Sequence, residues 1–310
     1  MMYLAATKKR AFALSIVLWI VAALMLGAVS IAHFAKDSVK LTQGVNDKLK
    51  TRIITQDIFE ILKFYLLTAS NDSNSLRSAK QINFIYKVPR RIIVDGRDYN
   101  LSKNIKISIQ DTSMLLNVFH LSPTIVAKIA TTNNQTQLRN IIKDSLKDWL
   151  DKDNFVSLNG AEASRYVNYP IRNEPTVQNV AELRLIKGIH TLPLSHWNHL
   201  KHRFYYGRAS TLNLALVDET MLSAFLDIDM DYAKELVNIR KNNMNEYIRL
   251  VSSLAEKKKY DRSEYGFHLS KQYKIKIIVE LGDVRTILKA LVDFKGRKNK
   301  VYTIINYSVL

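Results

Sequence analysis

The chain has 310 residues, enough for one large domain or two ordinary ones. Hydrophobic residues make up 47 % of it, which excludes a disordered protein, and the absence of cysteine excludes disulfides and thiolate-ligated metals. The net charge of +18, from 46 Lys and Arg against 28 Asp and Glu, fits binding to nucleic acid, anionic lipid headgroups or acidic proteins. It is also consistent with nothing more than the average composition of a Lys-rich proteome.

The N-terminal stretch indicates a membrane anchor. Lys8, Lys9 and Arg10 stand directly before an uncharged apolar segment that covers residues 12–35. About 20 such residues are needed to cross the hydrocarbon of a bilayer, and a short basic flank stays on the cytoplasmic side. We therefore expect a single-pass anchor, with everything after Lys36 across the membrane. The alternative is a cleaved secretory signal peptide, whose apolar core is usually only about 7–15 residues long.

This stretch resembles the type III signal of pilins and pseudopilins, in which prepilin peptidase removes a basic leader and the apolar helix remains. The resemblance implies a leader of residues 1–11, cleavage between Ala11 and Phe12, N-methylation of Phe12, and a retained transmembrane helix over residues 12–35. The family usually has Gly before the cut and Glu at the fifth mature position. This chain has Ala11 and Ile16 there.

The residue at the fifth mature position has a physical interpretation. A carboxylate inside a bilayer is costly and persists only with a partner, and in pilins that partner is thought to be the terminal amine of the subunit ahead. A subunit with nothing ahead of it needs no such carboxylate, so Ile16 suits the tip of a filament. The alternative is an ordinary anchor helix, in which Ile is a usual residue.

Helical periodicity continues beyond the anchor. Apolar residues recur at helical spacing as far as Tyr65, which predicts one continuous helix to about Leu67. Gly44 is its weak point, since Gly in a helix interior costs about 1 kcal/mol relative to Ala. The helix should end in the Ser- and Asn-rich segment 70–75.

Strand patterns follow the helix. Asp95-Gly96 is a strong turn signal and predicts a β-hairpin of strands 91–94 and 97–101. Residues 104–110 alternate between Ile and polar side chains, which predicts a further strand. A long helix followed by a small antiparallel sheet is typical of pilins.

The pattern then becomes helical from about Ser122 to Ser253, which is too long for a loop of that sheet. Ser122 before Pro123 is an N-cap signal for the first helix. Strand alternation returns at 273–281 and 301–309, whereas 284–294 is ambiguous between helix and strand. The predicted helices cover residues 123–130, 137–150, 180–186, 194–204, 219–225, 230–241 and 246–256.

The predicted fold class is therefore α+β. It is a pilin-like fold, with a long N-terminal transmembrane and stalk helix plus a small antiparallel sheet, and a large α-helical domain is inserted into it. After the anchor, we expect the stalk helix and first strands at 36–110, the inserted domain at 111–268 and the C-terminal strands of the sheet at 269–310.

A short sequence motif occurs twice in and near the helical region. Leu116-Asn117 and Leu212-Asn213 each stand a few residues before a predicted helix. The motif indicates either a true repeat of a small helical unit or a chance match of short apolar motifs, and the sequence leaves both open.

An ordered set of motifs carries a second resemblance. Residues 148–162 contain a D-W-x-D-x-D segment followed by G-A-E, and E-L-x-x-x-x-G follows at 182–188 and L-N-L at 212–214. This order resembles the minor pseudopilin K family of type II secretion systems. The resemblance implies a non-enzymatic protein of the bacterial inner membrane with its C-terminal domain in the periplasm. It further implies a place at the pseudopilus tip with minor pseudopilins I and J, serving protein export across the outer membrane.

The acidic segment predicts a metal site. Asp151 and Asp153 alternate, Glu162 follows within reach, and oxygen ligands from one loop suit calcium, which takes about 6–8 of them. Pseudopilin K proteins carry calcium in their inserted domain, so the resemblance implies a similar site with Asp151, Asp153 and Glu162 as ligands. The alternative is that the two aspartates cap helices or face solvent.

Other functions have weaker support in the sequence. Residues 181–189 resemble half of a helix-hairpin-helix, which leaves a membrane-anchored periplasmic DNA-binding protein as one alternative, although the second Gly is missing and a nucleic-acid partner is not expected. A type IV pilus minor pilin is another alternative. His190, His196, His199 and His202 are clustered without a carboxylate partner, which favours a solvated face over a metal site. No common catalytic motif is present.

Overall fold

The computed structural model describes residues 3–79, 86–132, 134–166, 171, 174–207, 211–261, 263–296 and 300–310, with side chains from Ile16 onward. It opens with one 66-residue helix, α1 (Tyr3–Thr68), as the periodicity predicts. By length and composition, the helix is apolar enough to cross a membrane over a window of mean hydropathy 2.3, none of which is buried in the protein. The helix continues through Gly44, so the cost of about 1 kcal/mol for a glycine in a helix interior does not break it.

The remaining elements alternate between strands and short helices. The helices are α2 (Pro123–Ala130), α3 (Thr136–Leu150), α4 (Leu194–Leu200), α5 (Glu219–Leu226), α6 (Met230–Asn242) and α7 (Met244–Lys257), with 3-10 turns at Thr112–Met114, Ala163–Arg165, Val180–Leu185 and Lys201–Arg203. The strands are β1 (Ser70–Asn71), β2 (Ser75–Arg77), β3 (Arg91–Ile93), β4 (Asp95–Ser102), β5 (Ile105–Asp111), β6 (Leu116–Asn117), β7 (Phe204–Tyr205), β8 (Leu212–Asn213), β9 (Tyr265–Gly266), β10 (Gln272–Leu281), β11 (Val284–Asp293) and β12 (Thr303–Val309).

A five-stranded antiparallel sheet packs on the C-terminal half of α1. Its strand order is β12-β11-β10-β5-β4, so the strands on either side of the helical region come together in one sheet. The alternating apolar residues of β5 and β10, such as Ile107 and Ile277, face α1 and form a core with Ile58 and Leu62. The pilin-like α+β fold is confirmed, and the ambiguous segment 284–294 is a strand.

The predicted hairpin at Asp95-Gly96 is wrong. β3 pairs with β2 in a separate three-stranded sheet, whereas β4 pairs with β5, so the chain passes from one sheet to the other between Ile93 and Asp95. Gly96 does adopt a positive φ of 90°, as the turn signal requires, but within an irregularity of β4. The local turn preference of Gly96 is confirmed, whereas the predicted pairing of the two flanking strands is wrong.

The inserted helical region has a hydrophobic core of its own. Ser122 caps α2 by accepting the Ile125 N–H, and α2 and α3 pack around buried residues that include Trp149, Trp197 and Phe225. The segment predicted as a helix at 180–186 is a 3-10 helix, Val180–Leu185. The segment predicted at 194–204 ends its α-helix at Leu200.

The two Leu-Asn segments have the same local structure. Asn117 and Asn213 each accept the backbone N–H of the residue two positions on, at 3.1 and 2.9 Å. Each segment pairs in parallel with a distant strand, β6 with β7 and β8 with β9, and each leads to a side-chain-capped helix of eight residues. These shared features favour a true repeat over a chance match.

The insert emerges at the end of the sheet that lies farthest from the apolar segment of α1. Gly282, in the β10–β11 turn, lies near Asp47 of α1, whereas the opposite end of the ten-residue strand β10 pairs with Asp111, where the insert begins. Ten strand residues span roughly 30 Å. Asn213 of the insert donates to the Ser73 carbonyl at 2.9 Å, just after the end of α1. The insert therefore sits at the far end of the stalk.

Candidate metal centre

Three carboxylates converge where α3 ends. Asp148 lies in the last turn of α3, Asp151 is its C-cap residue, and Glu162 precedes the 3-10 turn that follows the loop. One oxygen of each lies within 4.8 Å of the others. Among the described residues, these three carboxylates form the one group of three or more His, Asp or Glu side chains close enough together to hold a metal ion.

Asp148 is held by the loop that folds back over it. Its carboxylate is fully buried and accepts the backbone N–H groups of Ser157, at 3.1 Å, and Ala161, at 2.9 Å. Gly160 makes this approach possible, because a Cβ there would lie 1.8 Å from Asp148 Oδ2. The Gly of the G-A-E motif is thus the position at which the loop touches the carboxylate.

Glu162 and Asp151 have oxygens that the protein does not satisfy. Both Glu162 carboxylate oxygens and Asp151 Oδ1 are buried with no hydrogen-bond partner among the described residues. Burial, and then the charges of Asp148 and Asp151, raise the pKa of Glu162. Burial, and then the charges of Asp153 and Asp148, raise the pKa of Asp151. Buried oxygens and mutually repelling carboxylates fit a bound cation, which would supply both the missing ligand and the missing charge.

The structure places the three predicted ligands differently from one another. Asp151 and Glu162 come together, while Asp153 is exposed, accepts the Phe155 N–H at 2.8 Å and lies outside the close group. Asp148, which the sequence reasoning left out, takes the third position. The signal for it was available, since Asp148 lies in the last turn of the predicted helix 137–150 and Asp151 follows three residues later, a spacing that places both on one side of the helix end.

The remaining motif residues support this centre. Trp149 Nε1 donates to Glu182 Oε1 at 2.9 Å inside the core, which joins the D-W segment to the E-L segment. Lys187 Nζ donates to the carbonyls of Asn159, at 3.0 Å, and Gly160, at 2.8 Å, and so fixes the loop from outside. The motifs that stand apart in the sequence are one packed unit in the fold.

The helix-hairpin-helix resemblance does not lead to a phosphate site. Gly188 has φ +88° and lies against α3, where a Cβ would come 2.7 Å from Ile142 Cγ1. The N–H groups of Ile189 and His190 both donate to the Ile186 carbonyl at 3.0 Å, so they are not presented to a ligand. This tight turn packs one helix against another.

The four histidines do not form a metal site in the described part of the chain, since none of them belongs to the group of ligand atoms that come together. His199 Nδ1 is 2.8 Å from the Ser195 carbonyl within its own helix. Partial burial, and then Lys201, Lys274 and Lys289, lower the pKa of His202.

The predicted processing site lies on α1. The backbone at Ala11 and Phe12 is helical, while their side chains lie outside the described residues. Ile16 is 46 % exposed on the helix surface, like the apolar residues that follow it.

These features define a class of protein, namely a pilin-like stalk and sheet that carry an inserted helical domain with an acidic centre. Residues 129–195 match the family model of "Type II secretion system (T2SS), protein K". No curated protein sequence matches the chain.

The fold is similar to that of a solved chain in the GspK-GspI-GspJ complex of the type 2 secretion system of enterotoxigenic Escherichia coli. The TM-score is 0.53 and the identity 12 %, and the match covers 89 % of this chain and 98 % of that chain. The resemblance to minor pseudopilin K of type II secretion is confirmed, by sequence in the insert and by fold across most of the chain.

Proposed function

We propose that this protein caps the tip of the type II secretion pseudopilus. The observation that carries the proposal is the position of the insert, which leaves and re-enters the sheet at the end farthest from the apolar segment and lies beyond the end of α1. In a filament whose subunits stack along their stalk helices, the next subunit would have to occupy that space. A domain with its own core blocks it by size.

The anchor segment supports the same position. Ile16 stands where a carboxylate would pair with the terminal amine of the subunit ahead, and a leading subunit has no such partner. We infer that Ala11 and Phe12 form the prepilin peptidase site, and that α1 anchors the protein in the inner membrane with its C-terminal domain in the periplasm. The role is mechanical and needs no catalytic group.

Minor pseudopilins I and J are the proposed partners. The similar fold was solved in a complex named for GspK, GspI and GspJ, and the shared architecture supports the same kind of assembly for this chain. Together the three proteins would start the pseudopilus that drives export across the outer membrane.

Calcium is the proposed occupant of the acidic centre, held by Asp148, Asp151 and Glu162. Asp153 adds charge from the exposed side of the loop. The three carboxylates are the kind of oxygen ligand that calcium prefers, and both Glu162 oxygens are buried without a hydrogen-bond partner among the described residues. Bound calcium supplies charge neutralisation there and ties the loop after α3 to the helix.

The tip position is tested by labelling. An epitope at the C-terminus of the full-length protein is located by immunogold on sheared pseudopili, beside a variant in which a short Gly-Ser linker replaces residues 112–271. We expect the full chain only at fibre ends and the shortened chain along the shaft as well. Label along the shaft for the full chain would refute the proposal.

Processing and partners are tested separately. Mass analysis of the membrane-extracted protein should find methylated Phe12 as its first residue, and an intact Met1 would contradict the pilin-type signal. Full-length protein in detergent should retain minor pseudopilins I and J. Ile16→Glu should secrete as well as its control Ile16→Val, because no subunit lies ahead.

A further inference from the structure

A basic cleft lies on the face of the five-stranded sheet that points away from α1. The cleft has a volume of about 720 Å³ and lies between β4, β5, β10, β11, β12 and the insert. Its cations are Lys274 and Lys276 of β10 and Lys289 of β11, and His202 of the insert lies at the exposed rim. The neighbouring strand residues Ile275 and Ile277 point the other way, into the core.

The sheet places two of these cations in direct opposition. Lys276 and Lys289 are cross-strand partners in the β10–β11 pairing, and Lys274 follows on the same face. Like charges directly opposite each other destabilise a sheet. Among the ion pairs of the described residues, none involves Lys274, Lys276 or Lys289. A fold that keeps this arrangement leaves a charge that an anion would compensate.

Lys274 is the innermost cation. Its Nζ is 3.4 Å from the Phe204 carbonyl, a long contact to a neutral acceptor. Burial lowers the pKa of Lys274 to about 8, because an ammonium loses hydration there. A carboxylate beside it would restore the charged form.

The acidic residues of the cleft do not balance it. Asp95 is already bound by Arg97 through hydrogen bonds of 2.6–3.0 Å, and Asp98 is exposed on the edge strand β4. Three lysines thus face one carboxylate without an ion pair among the described residues, Asp98, at the margin of the cleft.

The position of the cleft argues against lipid headgroups of the anchoring membrane. Thr51 of α1 bonds Thr286 of β11 at 2.7 Å, three residues before Lys289. Thr51 lies sixteen residues beyond Ala35 in the same helix, which at about 1.5 Å per residue is roughly 24 Å from the apolar segment. A ligand at this height must come from the soluble side.

We propose that the cleft formed by Lys274, Lys276, Lys289 and His202 binds an acidic segment of a partner protein. The lysines are point charges spread over two neighbouring strands, and carboxylates spaced along an extended segment can pair with them one by one. Asn306 and Ser308 of β12 line the same cleft and carry polar groups that can hydrogen-bond to a peptide backbone. The inference depends on the fold and not on the calcium or tip proposals.

The test uses the full-length protein in detergent and a fluorescein-labelled peptide of alternating Glu and Ser. Binding is followed by anisotropy, with a Gln-Ser peptide as the neutral control. The cleft variant is Lys276→Gln/Lys289→Gln, and its matched control is Lys241→Gln/Lys257→Gln, which removes the same charge from exposed positions of the insert. Inorganic phosphate and anionic phospholipid vesicles are titrated in parallel.

We expect the Glu peptide to bind the natural chain and the control variant with the same affinity. Its affinity for the cleft variant should be lower by a factor of about ten or more. The cleft variant should unfold at the same or a higher temperature, because its substitutions remove repulsion. Equal weakening in both variants would show a general charge effect and overturn the proposal. So would cleft-dependent binding of phosphate or vesicles without the peptide, or a cleft variant that fails to fold.

Discussion

Gly160→Ala tests the built geometry of the acidic centre most directly. The new Cβ would lie 1.8 Å from Asp148 Oδ2, 2.7 Å from its Cγ and 3.1 Å from Ser157 Cβ. A flexible side chain could move aside, but the Asp148 carboxylate is fully buried and held by the N–H groups of Ser157 and Ala161. The substitution must therefore displace either the carboxylate or the loop.

The magnitude follows from those two hydrogen bonds. A hydrogen bond to a charged group contributes about 1.5–3 kcal/mol, so losing both would cost about 3–6 kcal/mol. Partial relaxation of the loop reduces this, and we expect a loss of about 3 kcal/mol in the free energy of unfolding together with loss of calcium binding.

Urea unfolding of the full-length protein in detergent measures this loss through tryptophan fluorescence. Two of the three tryptophans, Trp149 and Trp197, lie in the core of the insert, so the change in fluorescence on its unfolding reports on the domain that carries the centre. Gly266→Ala is the matched control, since its Cβ would meet nothing closer than Thr211 Oγ1 at 3.5 Å. If Gly160→Ala were as stable as this control and bound calcium normally, the close approach of loop and carboxylate would be refuted.

The other predictions concern charge and the motif core. Glu162→Gln should raise the unfolding temperature in EGTA, because it removes a repelled carboxylate, and should abolish the stabilisation that we expect added calcium to give the natural chain. The pKa values of Glu162 and Asp151 are raised in the folded protein, so without calcium the folded state binds more protons than the unfolded state. The free energy of unfolding should therefore rise as pH falls through these raised pKa values and decline as pH rises toward neutrality. This pH dependence should be weaker in Glu162→Gln, and an equal dependence in both proteins would contradict the role given to Glu162. Trp149→Phe removes the hydrogen bond from Trp149 Nε1 to Glu182 Oε1 and should cost about 2 kcal/mol in urea unfolding, whereas an unchanged midpoint would show that this hydrogen bond is not needed. Lys276→Gln should stabilise the sheet by about 0.2–1 kcal/mol, and a destabilised variant would argue against the cross-strand repulsion.

Local signals in the sequence predicted most of the elements. The bounds of α2 match the prediction because Ser122 and Pro123 set its start by capping and fixed φ, both of which act within one turn. The stalk helix and the strands β5 and β10 follow from periodicity, since one buried face imposes a repeat of 3.6 or 2 on the residues.

Tertiary pairing decided the elements for which local preference was ambiguous or misleading. The segment 284–294 is a strand because β10 offers a full-length partner across the turn at Gly282. Asp95-Gly96 keeps its turn-like backbone, yet the strands before and after it pair in different sheets. The spacing of residues in the sequence does not specify which strand will be the pairing partner.

The acidic centre shows the same division most clearly. The sequence alone determined that carboxylates are concentrated near residues 148–162 and that a glycine precedes Glu162. It did not determine that Asp148, rather than Asp153, joins Asp151 and Glu162, because that depends on the loop folding back until Gly160 touches the end of α3. Ligand atoms meet through the path of the backbone in space, and neighbours in sequence need not point at the same ion.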